Sequence, residues 1–477
     1  MTLGMTRRML RTLLAVTGLA LATSAARAAA PDARAALNAL RAQSDPGTTA
    51  VLRQIAGGAA DLARARAAVD SAGLPLDPAR LQRRPVAPAL DAAPLYVRLW
   101  ALRPHGDILD LALNVPDSRF AYTPKQIASV RRSLVRRRPA LLLAHQAASR
   151  PFCVFRRDWR LGRDVLLPEY AYQNAAARLL RVEAYLRARD GHRDAALQDA
   201  ALVLHLADQT ASDPTLNAYL TARRIRRWGL DILTDVLQTS HGSPSAARQV
   251  SQILAGHPPH WSLWYAEAGE ATLWYASLDS IRAKSETGWA WESGSGRLID
   301  SADATPNQPA SPVSPEERRL LTGLWEEGEA QTLNQTADRF ALLRAGVPLQ
   351  QIARGAPTAL QAWALRILFL PGDPVVSPTA DQLGKSEKRF QAQENVLKTA
   401  ARLLADPAAP PNPLPDPYTG RPLGLRREGR RGFVIYSVGE EGTFRGGRAA
   451  GPPPPGATLF RFPAPEPVPV PEFWDGS

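Results

Sequence analysis

The chain has 477 residues, 45% hydrophobic and 22% charged, with a formal charge of +13. That length supplies two or three domains of roughly 100–200 residues, and it buries a core without disulfide or metal staples. A single cysteine excludes a disulfide framework and any cysteine-based zinc or iron–sulfur centre. Beyond the N-terminus no apolar run approaches the ~18 residues of a membrane span, which excludes a polytopic membrane protein.

Residues 1–28 have the layout of a signal peptide. Arg7, Arg8 and Arg11 form a charged start, Leu13 to Ala22 a short apolar core, and Ala26-Arg27-Ala28 a small-residue cleavage site. No stop-transfer pattern follows, so no transmembrane anchor is expected after cleavage. The protein is therefore expected in the periplasm or outside the cell. Thr6-Arg7-Arg8-Met9-Leu10 partly matches a twin-arginine signal, but paired Arg is common in ordinary secretory leaders and the general secretory route is preferred.

Residues 29–165 carry a net charge of +11, whereas residues 166–477 carry −2. The excess is thus local, and it peaks between Arg131 and Arg163. Up to residue 90 this basic region is Ala-rich with helical spacing, broken at Gly73, Pro75 and Pro78. From 91 to 165 it mixes short apolar runs with Pro and Gly, consistent with helices and one or two short strands. Cys153 lies in the apolar run Pro151–Phe155 and reads as a buried thiol rather than a nucleophile. Arg136, Arg137 and Arg138, with Phe152, Phe155 and Trp159 nearby, have a composition also found in nucleic-acid binders. Export sets nucleic acid aside and leaves anionic lipid surfaces, anionic polymers or an envelope protein as partners; the plain alternative is a solvated basic surface.

Residues 166–405 read as a helical domain. Leu179, Val182 and Leu186 share a helical face, Asp190-Gly191 interrupts it, and Leu197, Ala201 and Leu204 resume it. Asp213 followed by Pro214 reads as the N-cap and first turn of a third helix. Another runs over Ala246–Leu254 to the stop at Gly256 and Pro258. Layered antiparallel helices follow from this pattern, with an α-solenoid or tetratricopeptide-like stack as a narrower form of it. The Gly/Ser/Asp/Pro-rich stretch 288–315 reads as a mobile loop. Helices are expected again over 315–345, 357–369 and 383–405.

Two constellations bear on chemistry. Trp264, Glu267, Glu270 and Trp274 bring carboxylates and aromatic rings onto one stretch. A glycan groove uses aromatic faces against sugar rings and two carboxyl groups across the scissile bond. Carboxylates three residues apart on one helix point the same way, however, so the favoured reading packs the rings between helices and leaves Glu267 and Glu270 solvated at the edge. His257-Pro-Pro-His260 offers two imidazoles, but its prolines preclude a regular helix, and it reads as a loop with no metal or cofactor assigned. Gly384-Lys385-Ser386 resembles the end of a phosphate-binding loop, yet Thr379 stands where the first glycine belongs.

After Asp406 the composition changes, since 16 of the 42 prolines fall in the last 71 residues. Residues 406–450 read as a β-hairpin module and 451–477 as a Pro-rich, disordered tail. Within Leu414-Pro-Asp-Pro-Tyr-Thr-Gly-Arg-Pro-Leu423, Asp416–Gly420 reads as a turn that leads into a strand over Arg421–Arg426, and within Gly432-Phe-Val-Ile-Tyr-Ser-Val-Gly439, Phe433–Val438 reads as a second strand. Residues 414–447 resemble the C-terminal hairpin of type II secretion major pseudopilins, and the whole chain resembles uncharacterised, exported, helix-rich bacterial proteins that end in a similar tail. In pseudopilins the loop after this hairpin carries acidic calcium ligands; here only Glu440 and Glu441 stand there, short of the ~6–8 oxygens calcium takes. The expectation is an exported, mainly α-helical binding or scaffold protein of the cell envelope. The alternatives are a glycan-binding or glycoside-cleaving protein and a secretion-apparatus-associated protein.

Overall fold

The computed structural model describes residues 46–102, 120–259, 262–292, 298–300, 310–344, 379–408, 410–429, 432–442, 457–464 and 468–469, with isolated positions 34, 38, 42 and 444. The expected signal peptide at 1–28 and the helix expected at 357–369 lie outside them. The protein is mainly α-helical with small sheets, and twelve α-helices are found among the described residues; the first strand, β1 (Phe120–Ala121), pairs in parallel with Val468–Pro469. The described residues divide into two compact units, and the division falls at Leu273/Trp274, inside a helix running from Leu263 to Gly288.

The first unit holds the described residues up to Leu76 and those from Trp274 to Arg344. Helices α1 (Pro46–Ala56) and α2 (Gly58–Ser71) pack against a long helix, Pro315–Arg344. Leu62, Ala65 and Val69 form the buried stripe of α2. Gly58 and Gly323 permit the close approach: a Cβ on Gly58 would lie 2.5 Å from the Gly323 carbonyl oxygen. Two buried carboxylates of the long helix, Glu327 and Glu329, are tied to the same interface, and the exposed Asp279 joins them. Arg66 donates to Glu329 at 2.7 Å and to Asp279 at 2.7 Å, and Gln54 donates to Glu327 at 2.6 Å. The basic region read as 29–165 is therefore no structural unit, because an apolar helix stripe, not the sign of the local charge, decides what packs with what.

In the stretch expected to be a loop, β2 (Trp289–Glu292), β3 (Leu298–Asp300) and β4 (Ala310–Pro312) form a three-stranded antiparallel sheet with β2 in the centre. The strand Trp-Ala-Trp-Glu alternates large and small residues, a signal hidden by the Gly, Ser and Asp around it.

The second unit contains the residues from Asp77 to Leu273 and those from 379 onward. Helices α3 (Ala93–Ala101), α4 (Pro124–Arg136) and α5 (Arg138–Ala148) lead into three long antiparallel helices, α6 (Glu169–Arg189), α7 (Arg193–Ala211) and α8 (Leu216–Thr239). Helix α4 starts with a capping box in which Thr123 and Gln126 satisfy each other's backbone N–H. Gly191, at φ +81°, makes the turn between α6 and α7. At Gly229 the Leu204 side chain occupies the space of a Cβ, bringing α8 close to α7. Helix α9 (Pro244–Gly256) follows, then α10 (Leu263–Gly288), α11 (Pro315–Arg344) and α12 (Thr379–Ala405). Gly384-Lys385-Ser386 lies within α12 and is helical, so it forms no phosphate-binding loop.

The C-terminal element has three strands, not two. Strand β5 (Gly424–Glu428) pairs antiparallel with β6 (Gly432–Ser437), and β6 pairs antiparallel with β7 (Thr458–Phe462). Phe433, Ile435 and Phe460 enter the same apolar cluster as Val396, Leu397 and Ala400 of α12 and as Leu204 and Leu233 of α7 and α8. The sheet is thus a wall of the helical core rather than a separate module. Residues 458–462 are ordered within the stretch read as a disordered tail: Thr-Leu-Phe-Arg-Phe puts Phe460 on the buried side, and the Phe462 ring fills the space beside Gly242.

The Asp416 turn closes this sheet. Its carboxylate is 1% exposed. It accepts from Tyr418 N at 3.0 Å, Ser437 Oγ at 3.0 Å and Val438 N at 2.9 Å. Gly420, at φ +71°, returns its N–H to the Asp416 carbonyl at 2.8 Å. Replacing Asp416 by Ala strands the buried Ser437 hydroxyl and two half-buried backbone N–H groups, and the second unit is expected to lose about 2 kcal/mol in urea unfolding; a loss under ~0.5 kcal/mol would show that the turn does not hold the sheet.

Candidate functional site

The segment after α5 carries the densest polar network of the second unit. Asp91 accepts from Val154 N at 2.9 Å and from Ala93 N at 3.0 Å. This pins the chain at the apolar run Cys153-Val154-Phe155, all three buried. Arg157 then turns inward. Its side chain is 2% exposed and lies 2.6 Å from Asp213 and 3.4 Å from Glu169. The guanidinium also stands 5.3, 5.1 and 5.5 Å from the ring centres of Phe155, Trp159 and Tyr170, a cage that favours a cation. Tyr170 Oη is 2.8 Å from Thr215 Oγ1, and Arg83 donates to Ser212 Oγ at 2.5 Å and to the Cys153 carbonyl at 2.9 Å.

Burial drives Asp213 and Cys153 upward. The Asp213 carboxyl is raised by desolvation, opposed by the Arg157 charge. The Cys153 thiol is pushed well above its ordinary range by burial and the nearby Asp213 and Asp91. A thiol held protonated and enclosed is no nucleophile at neutral pH, in keeping with the reading of Cys153 as a buried hydrophobe.

Asp213 was expected to cap α8 and does not. Its carboxylate is committed to Arg157, and the cap passes to Thr215, whose Oγ1 accepts from Ala218 N at 3.0 Å. Glu270 of α10 completes this helix start by accepting from Leu216 N at 3.0 Å, where the positive end of the helix favours a carboxylate. A Cβ on the neighbouring Gly269 would lie 1.5 Å from the Pro214 carbonyl oxygen, so only glycine lets the two elements meet.

These contacts settle where the carboxylate and tryptophan candidates lie. Glu270 is half-buried and holds the α8 N-terminus; Glu267 is buried, not solvated at an edge as expected. Trp264 is half-buried, while Trp274 is 2% exposed and packs edge-on against Tyr275 at 5.1 Å. Tyr275 Oη in turn lies 3.1 Å from Thr336 Oγ1. Trp274 and Tyr275 are core, whereas Tyr265 of the same stretch is exposed. Trp261 and His260 lie outside the described residues.

The arginine cluster separates into two populations. Arg157 is interior, together with Phe155 and Trp159. Arg131, Arg132, Arg136 and Arg138 are exposed on α4 and the start of α5, and Arg137 is half-buried and donates to the Ser133 carbonyl at 3.1 Å. Helix α4 buries Ile127, Val130 and Leu134, so Arg132 and Arg136 occupy its opposite face, with Val135, which is 70% exposed, beside them. Arg131 also reaches Asp190 at 2.5 Å. No Asp or Glu occurs from residue 118 to 157.

Among the described residues, two groups could hold a metal ion: His145 with Glu183 and Asp199, and His205 with Asp208 and His257. The scattered histidines of the sequence gave no sign of either, because each group is assembled across helices. In the first, Arg187 already bridges both carboxylates, at 2.8 Å to Glu183 and 2.7 Å to Asp199. Burial raises the Asp199 carboxyl to about 7, Glu183 adds to the rise, and Arg187 and His145 oppose it. No helix among the described residues is long and apolar enough to cross a membrane. Comparison of the chain with protein-family models, with curated proteins and with solved structures finds no match.

Asp199 links protonation to stability. Its folded carboxyl binds a proton more tightly than the unfolded one, so its contribution is full below about pH 4 and is lost as pH rises to about 7. Asp199→Asn keeps an acceptor for Arg187 and is expected to remove that fall, at most about 4 kcal/mol, from urea-unfolding curves taken between pH 4.5 and 7.5. An unchanged pH slope would place the linkage elsewhere.

Proposed function

We propose that this is an exported protein of the cell envelope, acting in the periplasm or outside the cell by binding rather than by chemistry. Its working surface is the α4–α5 face, and the partner is an anionic lipid surface. The observation that carries this reading is the pairing of exposed Arg132, Arg136 and Arg138 with exposed Val135 and Leu142 in a forty-residue stretch free of acidic residues. Cationic side chains meet head-group phosphates, and apolar side chains between them enter the interface. The leader-like residues 1–28 support export, and an exported chain meets phospholipid before it meets nucleic acid.

The glycan reading draws less support, since Glu270 is engaged at a helix start and Trp274 is enclosed. The secretion-apparatus reading rests on the tail motif, whose Asp416, Gly420 and Ser437 serve the sheet itself.

Co-sedimentation with vesicles tests the proposal. The protein is expected to bind phosphatidylglycerol vesicles at low ionic strength, to ignore phosphatidylcholine, and to release as salt rises. Replacing Arg132, Arg136 and Arg138 by Glu should weaken binding by about 100-fold or more, at roughly 1 kcal/mol for each cation removed. Absence of binding at low salt, or binding untouched by the triple variant, would overturn it.

A further inference from the structure

We infer that His205, Asp208 and His257 form a binding site for a divalent transition metal, zinc being the first candidate. His205 and Asp208 stand three residues apart on α7 and so share one face. His257 ends α9 as its C-cap. One ligand atom from each residue lies within 4.8 Å of the others. His257 Nδ1 is 3.6 Å from Asp208 Oδ2, close to the ~3.3 Å that separates two ligands of a tetrahedral zinc at about 2.0–2.1 Å each. Small side-chain rotations bring the set to coordination distance.

The surroundings hold the donors in place. His205 Nε2 lies 2.8 Å from the Arg150 carbonyl oxygen. An Nε2–H donated there leaves the lone pair on Nδ1, the arrangement by which an outer carbonyl fixes the tautomer of a metal-binding histidine. His257 is fixed at its backbone: its N–H donates to the Ile253 carbonyl at 3.1 Å, and its own carbonyl accepts from Arg226 Nη2 at 2.7 Å. Arg226 is fully buried and paired with Glu394 of α12 at 3.2 Å. Two imidazoles and one carboxylate suit zinc, cobalt or nickel better than calcium or magnesium, which take oxygen donors. All three residues are half-buried, so water can complete the coordination sphere. The His145 group differs in kind, having one imidazole and two carboxylates already bridged by Arg187.

A bound ion would join the end of α9 to α7, and its consequence is a metal-dependent gain in stability. The test uses the full chain without a histidine tag, stripped with EDTA, and titrated with cobalt(II) and then zinc(II). Expected are one equivalent of cobalt per chain with visible tetrahedral absorption, its displacement by zinc, and a zinc-dependent rise in melting temperature. His205→Gln can still donate to the Arg150 carbonyl, and His257→Ala changes the other element; each should lower affinity at least about 100-fold, the upper end of what losing an outer partner costs. Circular dichroism in EDTA checks that each variant is folded, and either folded variant suffices to decide. His145→Ala should bind as the unaltered chain does. Failure of the unaltered chain to bind cobalt or zinc, binding that survives in a folded His205 or His257 variant, or binding that follows His145 would overturn the inference.

Discussion

A guanidinium taken out of water must be met by an opposite charge and by groups that tolerate a cation, or the fold does not form. Arg157 imposes that constraint on the second unit. Its side chain can be interior only if Asp213 from the α7–α8 connection, Glu169 from the start of α6, and the faces of Phe155, Trp159 and Tyr170 arrive together. Once they do, the irregular segment between α5 and α6 is tied to α6 and to the connection between α7 and α8. The start of α8 follows, because an Asp213 engaged with Arg157 leaves Thr215 and Glu270 to satisfy its first N–H groups. Replacing one partner would leave the other charged and enclosed, which is why such pairs are costly to break even where they add little net stability.

The periodic helices were readable from the sequence because their apolar spacing is local information. Leu179, Val182 and Leu186 needed only their own neighbours to declare a face, and all three are buried. What could not be read were the choices between local and distant partners. Asp213 before Pro214 is a sound helix-start signal, and nothing within ten residues reveals that an arginine 56 positions earlier takes the carboxylate instead. Strand β7 was concealed in a similar way: its five residues stand between proline-rich flanks whose composition outweighed a short apolar pattern.

The candidate sites divide along the same line. A run of arginines without acids is visible in the sequence, but which of them faces solvent is decided by the burial of Ile127, Val130 and Leu134 beneath them. Glu267, Glu270 and Trp274 were visible as a group, but only the fold shows that Glu270 holds a helix start and that Trp274 is enclosed. His205, Asp208 and His257 were invisible as a group, since 49 positions separate Asp208 from His257 and only the docking of α9 beside α7 brings them together.

Strand β7 also has a bearing on the order in which the molecule is completed. It covers β6 by pairing along Phe433–Ser437, and it supplies Phe460 to the cluster that encloses Phe433 and Ile435. A growing chain that has reached residue 450 already contains every helix of the second unit, yet β6 has an open edge and its phenylalanine no lid. An open edge and exposed apolar face of that kind invite pairing with other chains. The core of this unit is thus closed only once residues 458–462 have joined β6, more than 50 positions after its last described helix ends.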